Sequence, residues 1–129
     1  MGKLNNDVKA FLNENAIWVF STCGDVPNAI PIFFKKVDAQ GNIILFDVFM
    51  KKSLANLAQN NKIALTVFNA QTLQGYQIKG IATYSTDAAF IKEGNERTSQ
   101  MNLETKGAVI VDVQEVYVQS PGADVGKML

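Results

Sequence analysis

Six runs rich in β-branched and aromatic residues, each ended by a turn or a short helical stretch, constrain this chain most. They are Ala16–Thr22, Asn28–Lys36, Asn42–Asp47, Lys62–Asn69, Gly75–Ser85 and Gly107–Gln119. Side chains of this kind pack well on a pleated surface, and the runs are too short and too regularly interrupted for a helical protein. Three segments read as helices. Leu4, Val8, Phe11 and Leu12 recur at helical spacing in a stretch ending near Asn15. Lys51–Asn60 offers Leu54, Leu57 and Ala58 as a core face, and Asp87–Asn102 offers Ala89, Phe90 and Met101. Asp38–Gly41 (DAQG) reads as a hairpin turn. Pro31 has no amide hydrogen to give a ladder, so its part of the second strand is expected at an edge or a bulge. The pattern predicts a mainly β, α+β fold: six antiparallel strands in a closed or partly closed barrel with short peripheral helices. A length of 129 residues suits one domain with a single hydrophobic core.

The absences narrow function. The chain has no histidine, which removes Ser–His and Cys–His nucleophile pairs, histidine-ligated haem and most zinc sites. Cys23 is the only cysteine, so no disulfide within the chain and no CxxC redox pair can form; it reads as a small hydrophobe beside the strand ending at Thr22. Arg97 is the only arginine, so no cluster of guanidinium forks exists to clamp phosphates or carboxylates. Twelve basic side chains balance twelve acidic ones, giving no broad electrostatic reason to seek nucleic acid or an anionic membrane. Met1–Asn6 is polar and reads as no secretory leader. Asn6 stands where a myristoylation signal wants Ser or Thr, so a reduced, cytoplasmic protein is expected. Whatever chemistry occurs here is expected from a bound cofactor or from backbone groups.

Lys51-Lys52-Ser53 breaks a local rule. These residues open a helix, where the helix dipole disfavours positive charge by a few tenths of a kcal/mol to about 1 kcal/mol. Such conflicts mark functional positions, and an anion would resolve this one through free amides, a hydroxyl and two ammonium groups. Two solvated lysines before a serine cap are the plainer alternative. Gly75 and Gly80 flank Tyr76-Gln77-Ile78-Lys79, and a glycine inside a strand points to a bulge or to close approach by another backbone or a ligand, with a glycine that simply accommodates twist as the favoured plainer alternative. The tail Gln119–Lys127 is a frayed end or an arm that reaches a neighbouring subunit. Asp47 reads as a strand-end cap, Trp18 and Tyr84 as core or interface aromatics, and Glu93, Glu96 and Glu104 as a solvated helix face with its flank.

The order of these pieces resembles the pyridoxamine 5'-phosphate oxidase-like FMN-binding split barrels, and among them the short FMN-binding proteins. The resemblance runs from about Ala16 to Gln119. It is carried by the strand Asn28–Phe34, the strand ending Ile44-Leu45-Phe46-Asp47, Met50-Lys51-Lys52-Ser53 with Ala55-Asn56-Leu57, and Gly75–Ala82. It implies that Lys51, Lys52 and Ser53 hold the FMN phosphate and that Asn56 steadies that loop. Pro31, Ile32, Phe33, Leu45, Phe46 and Asp47 would border the isoalloxazine ring. Tyr76, Gln77, Pro121 and Gly122 would complete the site, from the other subunit of a homodimer with flavin in its interface. Full-length oxidases of this type carry an arginine and a tryptophan near the C-terminus for their substrate. Here those residue types occur only at Arg97 and Trp18, so the resemblance brings the flavin site without the substrate residues. Related haem-binding barrels use histidine, which is absent.

The resemblance implies an FMN-dependent oxidoreductase, flavin reductase or electron carrier, supplied by a nicotinamide nucleotide or a small-molecule donor. A non-catalytic FMN-binding or sensing protein has the same sequence features. An oligonucleotide-binding small barrel is the third possibility, disfavoured by the neutral charge and the single arginine.

Overall fold

The computed structural model describes residues 4–129, so the expectations placed on Met1–Lys3 lie outside it. The elements run α1 (Asn6–Glu14), β1 (Trp18–Thr22), β2 (Asn28–Ile32), β3 (Lys35–Val37), β4 (Ile43–Asp47), α2 (Lys51–Gln59), β5 (Lys62–Phe68), β6 (Gly75–Ser85), α3 (Ala88–Thr98), a 3-10 turn (Ser99–Met101) and β7 (Gly107–Val118). The seven strands form one antiparallel sheet in the order β2-β1-β5-β6-β7-β4-β3.

Seven strands replace the six expected because the run Asn28–Lys36 does not stay in one ladder. Its first half pairs with β1, Trp18 opposite Ile32, and its second half with β4, Lys35 opposite Leu45. Phe33 and Phe34 are the whole connection. β2 and β3 are therefore the two edges of the sheet and also neighbours in sequence. Three Cα–Cα steps of 3.8 Å let Ile32 and Lys35 lie no more than about 11 Å apart, so the sheet must curl until its edges nearly meet. Pro31 sits opposite Val19 in the edge strand, where a residue without an amide hydrogen is tolerated.

β6 and β7 build the long wall of this curl and pair from Tyr76–Val118 to Ser85–Ala108. Their register shifts between Lys79 and Gly80, so the glycine marks a bulge and does more than accommodate twist. A Cβ on Gly80 would lie 2.7 Å from the Asp112 carbonyl oxygen, so only glycine lets the two backbones approach so closely. Inside the curl lie Phe20, Ile43, Leu45, Leu65, Val67, Ile78, Val109, Val111 and Val113. α1 closes one end with Val8, Phe11 and Leu12, and the Trp18 indole N–H donates to the carbonyls of Leu12 and Asn15.

β4 is buried on both faces. Ile43 and Leu45 look into the barrel, while Ile44 and Phe46 form a second cluster with Ala108, against which Phe34, Phe90 and Ile110 pack. α3 covers that cluster in an unexpected way. Ala89 and Met101 are exposed, and the buried contacts of the helix are Gly94 and Thr98, where the backbone comes down onto Thr105 and Phe46. Small residues let α3 sit close, and of the three apolar side chains expected underneath only Phe90 packs against the cluster. Glu93 is not a free solvated carboxylate either, because it pairs with Lys36 and Arg97. In α2, Leu54 and Leu57 pack against the core as expected, whereas Ala58 is exposed. Cys23 is exposed too, since it follows the last β1 residue into the turn.

Candidate functional site

The start of α2 follows directly on β4, and Asp47 makes the junction. Its Oδ1 accepts the Met50 amide at 2.9 Å, its Oδ2 accepts the Tyr84 hydroxyl at 2.6 Å, and its carbonyl accepts the Lys106 amide at 2.8 Å. Asp47 is thus the strand-end cap anticipated, buried to 2% exposure. Burial, the hydrogen bond to Asp47 and its negative charge together raise the Tyr84 pKa well above the ordinary tyrosine value, so this hydroxyl remains a donor.

Beyond the junction the helix is uncapped. Met50 supplies no side-chain acceptor, and the amides of Lys51, Lys52 and Ser53 have no acceptor among the described residues. α1, by contrast, is capped by Asn5, which accepts the Val8 amide at 2.8 Å. Both lysines are exposed, and neither pairs with a carboxylate among the described residues. Unpaired amides at the positive end of a helix dipole, next to two free ammonium groups, are the donor set a phosphate dianion needs.

Ser53 takes another part. It is 1% exposed, and its hydroxyl accepts the Asn28 side-chain amide at 3.1 Å, which ties α2 to the edge strand β2. Asn56 makes a second tie: its Nδ2 donates to the Thr22 hydroxyl at 3.1 Å and the Val26 carbonyl at 3.0 Å. The helix start is therefore held in place from the β1–β2 turn and from β4.

Alongside it, where β2 swings into β3, opens a cleft of about 520 Å³. Pro31, Ile32, Phe33 and Phe46, four of the residues expected beside the ring, line it. Val48, Phe49 and Met50 line it as well and run straight into Lys51, so the apolar cleft and the helix start adjoin. Met101 and Leu103 close the far side. Phe33, Phe49 and Met101 are 57%, 76% and 65% exposed, a cluster of large apolar side chains at one mouth. The wall is apolar throughout and suits one face of a planar aromatic ring.

The other expected residues lie elsewhere. Leu45 is enclosed in the barrel core and does not border the cleft. Tyr76 packs edge-on against Phe11, ring centroids 5.3 Å apart, and Gln77 sits opposite Tyr117 at the far end of β6 from Tyr84. Pro121 and Gly122 are exposed in a tail that folds back on its own strand, the Lys127 carbonyl accepting the Val118 amide. Tyr76, Gln77, Pro121 and Gly122 do not border the cleft. Val48, Phe49 and Leu103 escaped the sequence reading, and Met101 and Tyr84 were read only as core or interface residues. Phe49 carried a signal, as a large aromatic in the loop between a strand and a cationic helix start. A more open hollow of about 610 Å³ lies along the outer face of α3, near Lys92, Asn95 and Glu96, and none of the expected site residues borders it.

Comparison with known proteins agrees with this fold. A family model described as pyridoxamine 5'-phosphate oxidase matches residues 4–120. An uncharacterized protein of Methanocaldococcus jannaschii is 33% identical over 132 residues, covering 98% of this chain and 88% of its own. HupZ of Group A Streptococcus has the same fold, with a TM-score of 0.80 at 19% identity over 95% of this chain and 99% of that one. An FMN-binding protein from Syntrophomonas wolfei superposes with a TM-score of 0.75 at 17% identity, covering 89% and 85% of the two chains. Among the described residues no helix is long and apolar enough to cross a membrane, and no cluster of metal-ligating side chains occurs.

Proposed function

Because the chain belongs to the pyridoxamine 5'-phosphate oxidase family, we propose that it is an FMN-binding flavoprotein of the cytoplasm, a small oxidoreductase acting as flavin reductase or electron carrier. The observation that carries this reading is the junction of two features, an uncapped, doubly cationic helix start and an apolar cleft that opens beside it. One fits a phosphate and the other a ring, and FMN joins the two at a short distance.

In this reading the amides of Lys51, Lys52 and Ser53 and the two lysine ammonium groups bind the phosphate. Asn56 and Ser53 keep the helix start rigid through Thr22, Val26 and Asn28. Pro31, Ile32, Phe33 and Phe46 shield one face of the ring, and the end of β4 at Leu45 and Asp47 backs them. Bound flavin would supply one- and two-electron transfer, while the protein supplies position and exclusion of water. The exposed Phe33, Phe49 and Met101 are covered by a second copy of the chain. That copy brings its own Tyr76, Gln77, Pro121 and Gly122, so the flavin lies in a homodimer interface. A nicotinamide nucleotide or another small molecule delivers electrons. With no histidine in the chain, the flavin's protons come from water or from the substrate.

Purified protein should be yellow and keep its flavin absorbance through gel filtration, with FMN identified by mass spectrometry after release. Colourless protein that takes up no added FMN overturns the reading. Oxidation of NADH or NADPH in the presence of FMN would establish turnover.

A further inference from the structure

We propose that Tyr84 is a positioning residue for anion binding: it pins the Asp47 carboxylate toward the barrel so that the first-turn amides of α2 stay free. This rests on the reading of that helix start as the phosphate site. The difficulty it addresses is electrostatic. A carboxylate one short loop before a helix is the natural cap for that helix, and it would both occupy the amides and repel a phosphate. Asp47 stands in that place and leaves the first-turn amides unoccupied. Its Oδ1 takes the Met50 amide, one residue ahead of the helix, and its Oδ2 is held by Tyr84 from β6. The amides of Lys51, Lys52 and Ser53 are left without acceptors.

Three further features make the arrangement specific. The Lys106 amide fixes the Asp47 backbone. Gly107, opposite Asp47 in β7, leaves room for the phenol, since a Cβ there would lie 2.4 Å from the Tyr84 hydroxyl oxygen. Burial of the carboxylate leaves the Tyr84 hydroxyl as the donor to Oδ2. Without that donor, the buried charge regains freedom to turn toward the helix start, where the dipole favours negative charge.

The test compares FMN with riboflavin, which lacks the phosphate, in equilibrium titrations of the full-length protein. Tyr84→Phe should lower FMN affinity roughly 3- to 10-fold and leave riboflavin affinity unchanged. Equal losses for both flavins, or no loss for FMN, would overturn the proposal. Asp47→Asn keeps an acceptor for the Met50 amide but removes the charge, so FMN affinity should hold or rise, and adding Tyr84→Phe to it should cost nothing further. Weaker FMN binding in Asp47→Asn with riboflavin unchanged would overturn it too, and this arm stands even if Tyr84→Phe alone does not fold. Equal wild-type affinity for the two flavins would instead overturn the phosphate reading, and this assignment with it.

Discussion

Gly24 lies so close to Asn56 that a Cβ on it would sit 2.4 Å from the Asn56 Oδ1 and 3.2 Å from the Gln59 Oε1. The turn after β1 and the second turn of α2 thus touch with no space for a methyl group. Asn56 can move aside only by giving up its bonds to Thr22 and Val26. Gly24→Ala should cost about 1–2 kcal/mol, the loss of one or two net hydrogen bonds. Urea denaturation measures it, and FMN affinity should fall as the helix start loosens.

Lys52→Ala removes one ammonium group from the proposed phosphate site. The charge-assisted hydrogen bond it would make predicts a roughly 10- to 150-fold weaker FMN complex. Fluorescence titration reads this directly, and an unchanged dissociation constant would exclude Lys52 from the phosphate.

Phe49 contributes little to the protomer's own core, being 76% exposed. Phe49→Glu should therefore leave the unfolding free energy within about 0.5 kcal/mol of wild type. If a second copy covers the mouth of the cleft, the variant elutes as a monomer and loses flavin on gel filtration. A dimer that retains its flavin would place the interface elsewhere.

Tyr84 gives stability a pH dependence of definite sign. Its folded pKa is raised, by burial first and then by the hydrogen bond and charge of Asp47, so its stabilising contribution is complete below the unfolded value of 10.0. Above about pH 10 the unfolded chain sheds the phenolic proton while the folded protein keeps it, and stability falls as pH climbs. Lys35, whose pKa is lowered by desolvation, acts in the opposite sense near the same range, but equally in wild type and Tyr84→Phe. Urea midpoints across that range should therefore fall more steeply for wild type than for the variant.

Much of this architecture was written in local patterns. Gly75–Ser85 alternates polarity along its length, and the strand occupies those residues. The bulge at Gly80 and the cap at Asp47 followed from residues that only a few backbone situations favour. The division at Phe33–Phe34 did not show, because an apolar run reads as continuous whether it pairs with one neighbour or changes neighbours midway. The underside of α3 was only partly legible: Phe90 packs inward as read, but the close approach is made by Gly94 and Thr98, which carry no apolar periodicity, while Ala89 and Met101 are exposed. Among site residues, Lys51 and Lys52 were visible through a local electrostatic conflict. The far wall of the cleft, Met101 and Leu103, was not, since long-range folding brings it there from some fifty positions down the chain.

Phe33 and Phe34 bind the two rims of the sheet covalently, yet β2 and β3 share no rung of the ladder. The Phe34 carbonyl accepts the Phe46 amide, so the second half of that corner travels with β4 and only Phe33 stands outside the ladders. The width of the seam is thereby set by a single residue, and a guest that needs a wider gap has to be met by torsion at Phe33.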